Sequence, residues 1–245
     1  MKQVLLILTA VVVGCGKKPE SPMVVPNKLI NNPIVEKAIR KSLKKPAGEL
    51  TKADLEKVTE LSLSDNKLTE VPKGLEKLTQ LERLHLHDNQ LTSMKGLEDL
   101  TQLKELSLHG NQLTSMKGLE NLTQLKSLYL YNNQLTEVTG LENLTQLKEL
   151  GLGENQLTDV TGLENLTQLT YLSLSENQLT HVKGLEKLTQ LKKLYLWHNK
   201  LIEVPKGLKN LTQLEFLGLK GNPDLTQARI DQLQLHKALP KCWFD

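Results

Sequence analysis

The chain has 245 residues, of which 38% are hydrophobic and 24% charged, enough apolar material for one elongated domain. Its net charge of +3 is small, and lysines and glutamates are interspersed with no basic stripe of their own register, which speaks against a nucleic-acid binder. The two cysteines, Cys15 and Cys242, exclude a disulfide framework.

The N-terminus, MKQVLLILTAVVVGCGKKPE, starts basic at Lys2 and runs apolar from Val4 to Val13. A bilayer span needs about 20 apolar residues, so this run reads as a secretion signal covering residues 1–14. Its end, Val12-Val13-Gly14-Cys15, resembles the lipobox of bacterial lipoproteins, with Val at the position usually held by Leu. The resemblance implies lipidation of Cys15 and a membrane anchor, stable because two or three acyl chains hold where one is marginal. Gly16 stands where Asp would signal inner-membrane retention, so in a Gram-negative host the resemblance implies the outer membrane. The alternative is an ordinary cleaved signal. Residues 15–29 carry three prolines and no periodicity, and read as a tether.

Residues 30–57 are expected to form a helical N-terminal cap. Asn32 followed by Pro33 is an N-cap with proline at the first helical position. Val35, Ala38, Ile39 and Leu43 make one apolar face, and Pro46-Ala47-Gly48 is the expected stop. Thr51 with Asp54 resembles a capping box for a short second turn leading into Val58.

Residues 58–225 then repeat one unit eight times, as in LKELGLGENQLTDVTGLENLTQ from Leu147 to Gln168. The aligned asparagines are Asn66, Asn89, Asn111, Asn133, Asn155, Asn177, Asn199 and Asn222, stepping by 22 residues, or by 23 beside each Val-Pro-Lys-Gly-Leu. A fixed period of this size means a solenoid. Leu150-Gly151-Leu152 alternates as a short strand does, whereas Leu157, Val160, Leu163 and Leu166 recur every third residue, a spacing that suits tight turns or 3₁₀ pieces. Gly162 is expected to permit the bend, and Thr167-Gln168 to supply turn chemistry. The asparagine is expected inside, its amide serving backbone groups at the turn. Glu164 is read as an inert solvent position. Residues 226–245 are expected to form a C-terminal cap, a helix over Thr226–Leu239 with Cys242, Trp243 and Phe244 packed beneath it.

The pattern L-x-x-L-x-L-x-x-N-x-L resembles the leucine-rich repeat signature, and the 22-residue form with a GLE-x-LTQ return resembles the internalin type of bacterial leucine-rich repeat protein. The fold implied is an α/β leucine-rich repeat solenoid: eight repeats, a parallel concave sheet, a helical N-cap and a helical C-cap. Internalin resemblance also implies recognition of a receptor.

In this architecture the residues between the strand leucines face outward and are free to vary. Six of the eight aromatic residues fall on these positions: Tyr129, Tyr131, Tyr171, Tyr195, Trp197 and Phe216. Arg83, His85, His87, Glu105 and His109 occupy the corresponding positions nearer the N-terminus. Together they are the expected partner-binding face, with Trp197 facing solvent in the free protein and Gly151 and Gly153 forming a notch beside Tyr129 and Tyr131. Aromatics suit strands for packing reasons alone, but Tyr and Trp also dominate interaction hot spots. His85, His87 and His109 lie close enough to invite Zn²⁺ or Cu²⁺, yet lack a clear fourth ligand, so a polar, pH-sensitive rim is the preferred reading and no metal is assigned. No catalytic constellation emerges, and no cofactor is expected. The chain is read as a monomeric, non-enzymatic lipoprotein of the bacterial cell envelope that binds a protein or peptide. Binding of carbohydrate or cell-wall glycan, and a spacer role without a ligand, are the alternatives.

Overall fold

The computed structural model describes residues 28–205, 207–226, 239 and 241–244. The expected signal, Cys15, most of the tether and the C-terminal helix lie outside the described residues. Among those described, no helix is long and apolar enough to cross a membrane.

The first element is helix α1, Pro33–Ser42. The Asn32 side chain accepts from the backbone N–H groups of Ile34 and Val35, as an N-cap should. Val35 and Ile39 are fully buried, with Ala38 and Leu43 partly so. The helix ends before Pro46. Lys44 turns left-handed at φ 52°, the Lys45 N–H donates to the Arg40 carbonyl at 3.0 Å, and that of Lys44 to Lys41 at 3.2 Å. This is a Schellman closure with lysine where glycine is usual. Helix α2, Lys52–Leu55, carries the expected capping box between Thr51 and Asp54. Lys45 pairs with the Asp54 carboxylate at 2.7 Å and is the first cause of its lowered pKa. Ser42 donates to the Glu60 carbonyl, occupying an otherwise bare acceptor on the first strand.

Eight strands follow at the repeat period: β1 (Glu60–Ser62), β2 (Arg83–His85), β3 (Glu105–Ser107), β4 (Ser127–Tyr129), β5 (Glu149–Gly151), β6 (Tyr171–Ser173), β7 (Lys193–Tyr195) and β8 (Phe216–Gly218). All neighbours are parallel and in chain order. Their central leucines stand in one row, Leu61 beside Leu84 through to Leu194 beside Leu217. A ninth strand, β9 (Trp243–Phe244), pairs in parallel with β8 and puts Trp243 beside Phe216. Trp243, expected beneath the C-terminal cap, is instead 63% exposed, whereas Cys242 is buried. The open edge of β8 explains the difference, because it offers backbone groups that a passing extended segment satisfies.

Opposite the sheet, the returning segments run in tight turns closed by i to i+3 bonds, such as Leu166 N–H to the Leu163 carbonyl at 3.0 Å. Four of them form a 3₁₀ turn: Leu75–Lys77, Leu163–Asn165, Leu185–Lys187 and Leu208–Asn210. Gly162 enters one such turn at φ 112°, where a side chain would be strained. Its N–H donates to the Glu164 carboxylate at 2.7 Å, and Gly74, Gly96, Gly118 and Gly140 do the same with Glu76, Glu98, Glu120 and Glu142. Glu164 is therefore not inert. Backbone N–H groups at Glu164 and Gly162 hold its carboxyl below the usual range.

Seven of the eight asparagines are buried. Asn155 is representative. Its Oδ1 accepts from Leu135 N–H of the preceding repeat at 3.0 Å, and its Nδ2 donates to the carbonyls of Leu130, Leu152 and Gly153. Asn66, with no repeat before it, is exposed; its side-chain amide donates to the Ser64 carbonyl, and its backbone N–H donates to Asn89 Oδ1 of the next repeat. Removing the Asn155 amide strands a buried N–H and carbonyls, at roughly 1–3 kcal/mol for an unpaired group. Urea unfolding should thus find Asn155→Ala destabilised by at least about 2 kcal/mol, and Asn66→Ala within about 0.5 kcal/mol of the parent.

Candidate functional site

The parallel register carries each outward position into a column across the sheet, with strands about 4.8 Å apart. The structure gathers the expected face into two groups of rings.

The first lies on β2 to β4 and the turns after them. Arg83 donates to the Glu60 carboxylate through Nε and Nη2, at 3.0 and 2.8 Å. His85 Nε2 lies 3.9 Å from the same carboxylate. Glu105 stands between Arg83 and Ser127 in the register. The rings of His87 and His109 stack almost parallel, centroids 4.5 Å apart, and Tyr131 continues the stack 4.9 Å beyond His109. Tyr129 sits 5.9 Å from Tyr131, and its hydroxyl donates to Glu149. Burial first, then that hydrogen bond, raises the Tyr129 pKa well above the usual range.

The second group lies on β6 to β9. Tyr195 stands 5.3 Å from Tyr171, 5.0 Å from Trp197 and 4.8 Å from Phe216. Trp197 meets Phe216 edge-on at 5.6 Å, and Phe216 lies 5.0 Å from Trp243. These separations are those of interacting aromatic pairs. Trp243 is the functional candidate that the sequence reading missed. Its place is set by pairing with the edge of β8, which the local sequence around Trp243 does not reveal.

Two expectations are corrected. The notch at Gly151 is filled: a Cβ there would lie 2.5 Å from Tyr131 Cε1, so the glycine is the seat on which the Tyr131 ring rests. Trp197 does not stand free in solvent. It is half-buried with its ring over Gly218, and its Nε1 is buried with no partner.

Among the described residues, His87, Asp88 and His109 bring three possible metal-ligand atoms within 4.8 Å of one another. His85 is not part of this set; its ring is turned 77° to that of His87 at 6.3 Å.

A stack of parallel strands whose outward columns vary from repeat to repeat defines a repeat scaffold. Family descriptions match accordingly: "Leucine Rich repeats (2 copies)" over residues 101–143 and 145–187, "Leucine rich repeat" over 56–113 and "Leucine Rich Repeat" over 190–211. Internalin C2 of Listeria monocytogenes is similar in structure, with 31% identity and a TM-score of 0.78 over 87% of this chain and 93% of its own. A leucine-rich repeat protein of Leptospira interrogans shares 33% identity with a TM-score of 0.73, over 80% of this chain and 51% of that longer one. No curated protein sequence matches the chain. The chain belongs to the leucine-rich repeat proteins, in their bacterial internalin-like form.

His109 offers a local test of the first group. Burial, then the neighbouring His87, lowers its pKa from the ordinary 6.5. The unfolded chain then binds the proton more readily than the fold, so His109 contributes stability above pH 6.5 that is lost as pH falls through the folded pKa. An NMR titration should place the His109 midpoint below 6.5, and His109→Gln should lose less stability than the parent from about pH 7.5 to about pH 5.

Proposed function

We propose that the chain is a non-enzymatic binding protein of the bacterial cell envelope, anchored through a lipid on Cys15, that captures a protein or peptide on its inner sheet face. The fold and its relatives support a protein-binding repeat scaffold in general. The finer reading rests on one observation: Tyr171, Tyr195, Trp197, Phe216 and Trp243 form one contiguous ring cluster across four neighbouring strands. An aromatic patch at a surface marks an interaction site more often than a packing accident. Lys193 and Lys220 stand exposed on the same two central strands or just beyond them, so the surface suits an apolar segment with acidic flanks. His87, His109, Tyr129 and Tyr131 extend the face toward the N-terminal cap, where Arg83, His85 and Glu105 add polar contacts.

The way the rings sit supports protein over glycan. Sugars stack on open ring faces, whereas Trp197 is turned edge-on to both Tyr195 and Phe216. The cysteine anchor draws on sequence alone, and the mass of the mature N-terminus checks it.

Photo-crosslinking tests the face. A benzophenone side chain at Tyr195 should capture an envelope protein, whereas one at the exposed Glu142 on a return turn should not. Trp243→Ala should keep the parent's melting temperature and weaken capture by at least tenfold, about 1.4 kcal/mol. Trp197→Ala should lower both. Capture from Glu142 alone would place the partner elsewhere, and a glycan array bound in a Trp243-dependent way would favour carbohydrate.

A further inference from the structure

We propose that His87, Asp88 and His109 form a binding site for a divalent transition-metal ion, Zn²⁺ foremost, with a fourth position open toward the partner face. Their ligand atoms already lie within 4.8 Å of one another. Tetrahedral Zn²⁺ holds nitrogen and oxygen at about 2.0–2.2 Å, which sets neighbouring ligands roughly 3.4 Å apart. Closing the difference requires the two stacked rings to rotate toward each other on binding.

Each ligand is brought there by the fold for a separate reason. His87 and His109 follow equivalent leucines of successive repeats, so the parallel register sets their rings side by side, stacked at 4.5 Å and 5°. Asp88 occupies the turn position before the buried asparagine and is left-handed at φ 54°. Its carboxylate swings across to the next repeat and rests over Gly110, where any larger residue would clash with it. Lysine-like or bulky residues at 110 would block this path; glycine opens it, directly beside His109. The same carboxylate lies 2.9 Å from His87 Nδ1 and offers an oxygen within 4.8 Å of a His109 ring nitrogen.

The surroundings also hold the ligands in place. Ser107, a buried serine, lies 2.9 Å from His109 Nδ1. When that nitrogen carries the proton, it donates to Ser107 Oγ and leaves Nε2 free to bind metal, the arrangement in which a second partner fixes the tautomer of a ligating histidine. Tyr131 packs beside His109, ring centroids 4.9 Å apart and tilted by 31°. Two imidazoles and one carboxylate suit Zn²⁺, and also Cu²⁺ and Ni²⁺. Three protein ligands leave a coordination position for water, or for a donor atom arriving from outside. The site stands whether or not the aromatic cluster binds a protein, because none of its ligands belongs to that cluster.

Isothermal titration of Zn²⁺ into the untagged full chain tests the site. One equivalent should bind, His87→Ala and His109→Ala should each weaken binding at least tenfold, and Asp88→Asn should weaken it measurably. His85→Ala and His181→Ala should leave it unchanged. The imidazole signals of His87 and His109 should shift together on NMR, with circular dichroism unchanged in every variant. No uptake by the parent, uptake indifferent to both histidine substitutions, or loss on His85→Ala with Asp88→Asn silent would each overturn the assignment.

Discussion

Each strand of the solenoid ends in a turn whose backbone groups face into the stack, and the buried asparagine is the group that satisfies them. One amide carbonyl takes an N–H from the preceding repeat, while one amide nitrogen serves carbonyls on both sides of the seam, as Asn111 does for Leu86 and Leu108. From Asn89 to Asn222 the geometry recurs with distances near 3 Å. Aspartate has no donor to offer and leucine no polar atom, so neither could replace it. The bond acts between repeats, which is why a single repeat has no independent stability and why the stack has one register.

That register is what makes the outer face a surface with columns. Because every central leucine is paired with a leucine, every outward strand residue meets its counterpart on the adjacent strand, and the side chains there pack as rows. Glycines then decide how the rows lie. Gly151 admits the Tyr131 ring and Gly218 the Trp197 ring, so in both groups the rings lean across an empty position toward the next strand. The face is thereby divided into a histidine–tyrosine row and an aromatic cluster, with serines and glycines between them.

The period, the asparagine, the capping box and the in–out alternation were all legible in the sequence, because each is a local pattern with one physical meaning. What stayed hidden needed a neighbour to define it. Lys44 closes α1 ahead of the proline because a left-handed lysine is tolerable once two carbonyls are satisfied. Glu164 looks like any surface glutamate until the Gly162 N–H is seen to point at it. Trp243 reads as part of a cap until the free edge of β8 is placed beside it. Asp88 is hidden for the same reason: its reach depends on a glycine 22 residues later, in the next repeat. For the candidate site, then, the columns could be read from the sequence, and the direction in which each ring leans could not.

The most direct test of the asparagine seam is hydrogen exchange at single amides. The N–H groups of Leu91, Leu113, Leu135, Leu157, Leu179 and Leu201 each donate to an asparagine Oδ1 of the following repeat. If those side chains act as backbone does, these amides should exchange as slowly as the strand-side amides of Leu130, Leu152 and Leu174, opening only with the stack. Exchange at the rate of exposed turn amides, with the strand amides still protected, would contradict it.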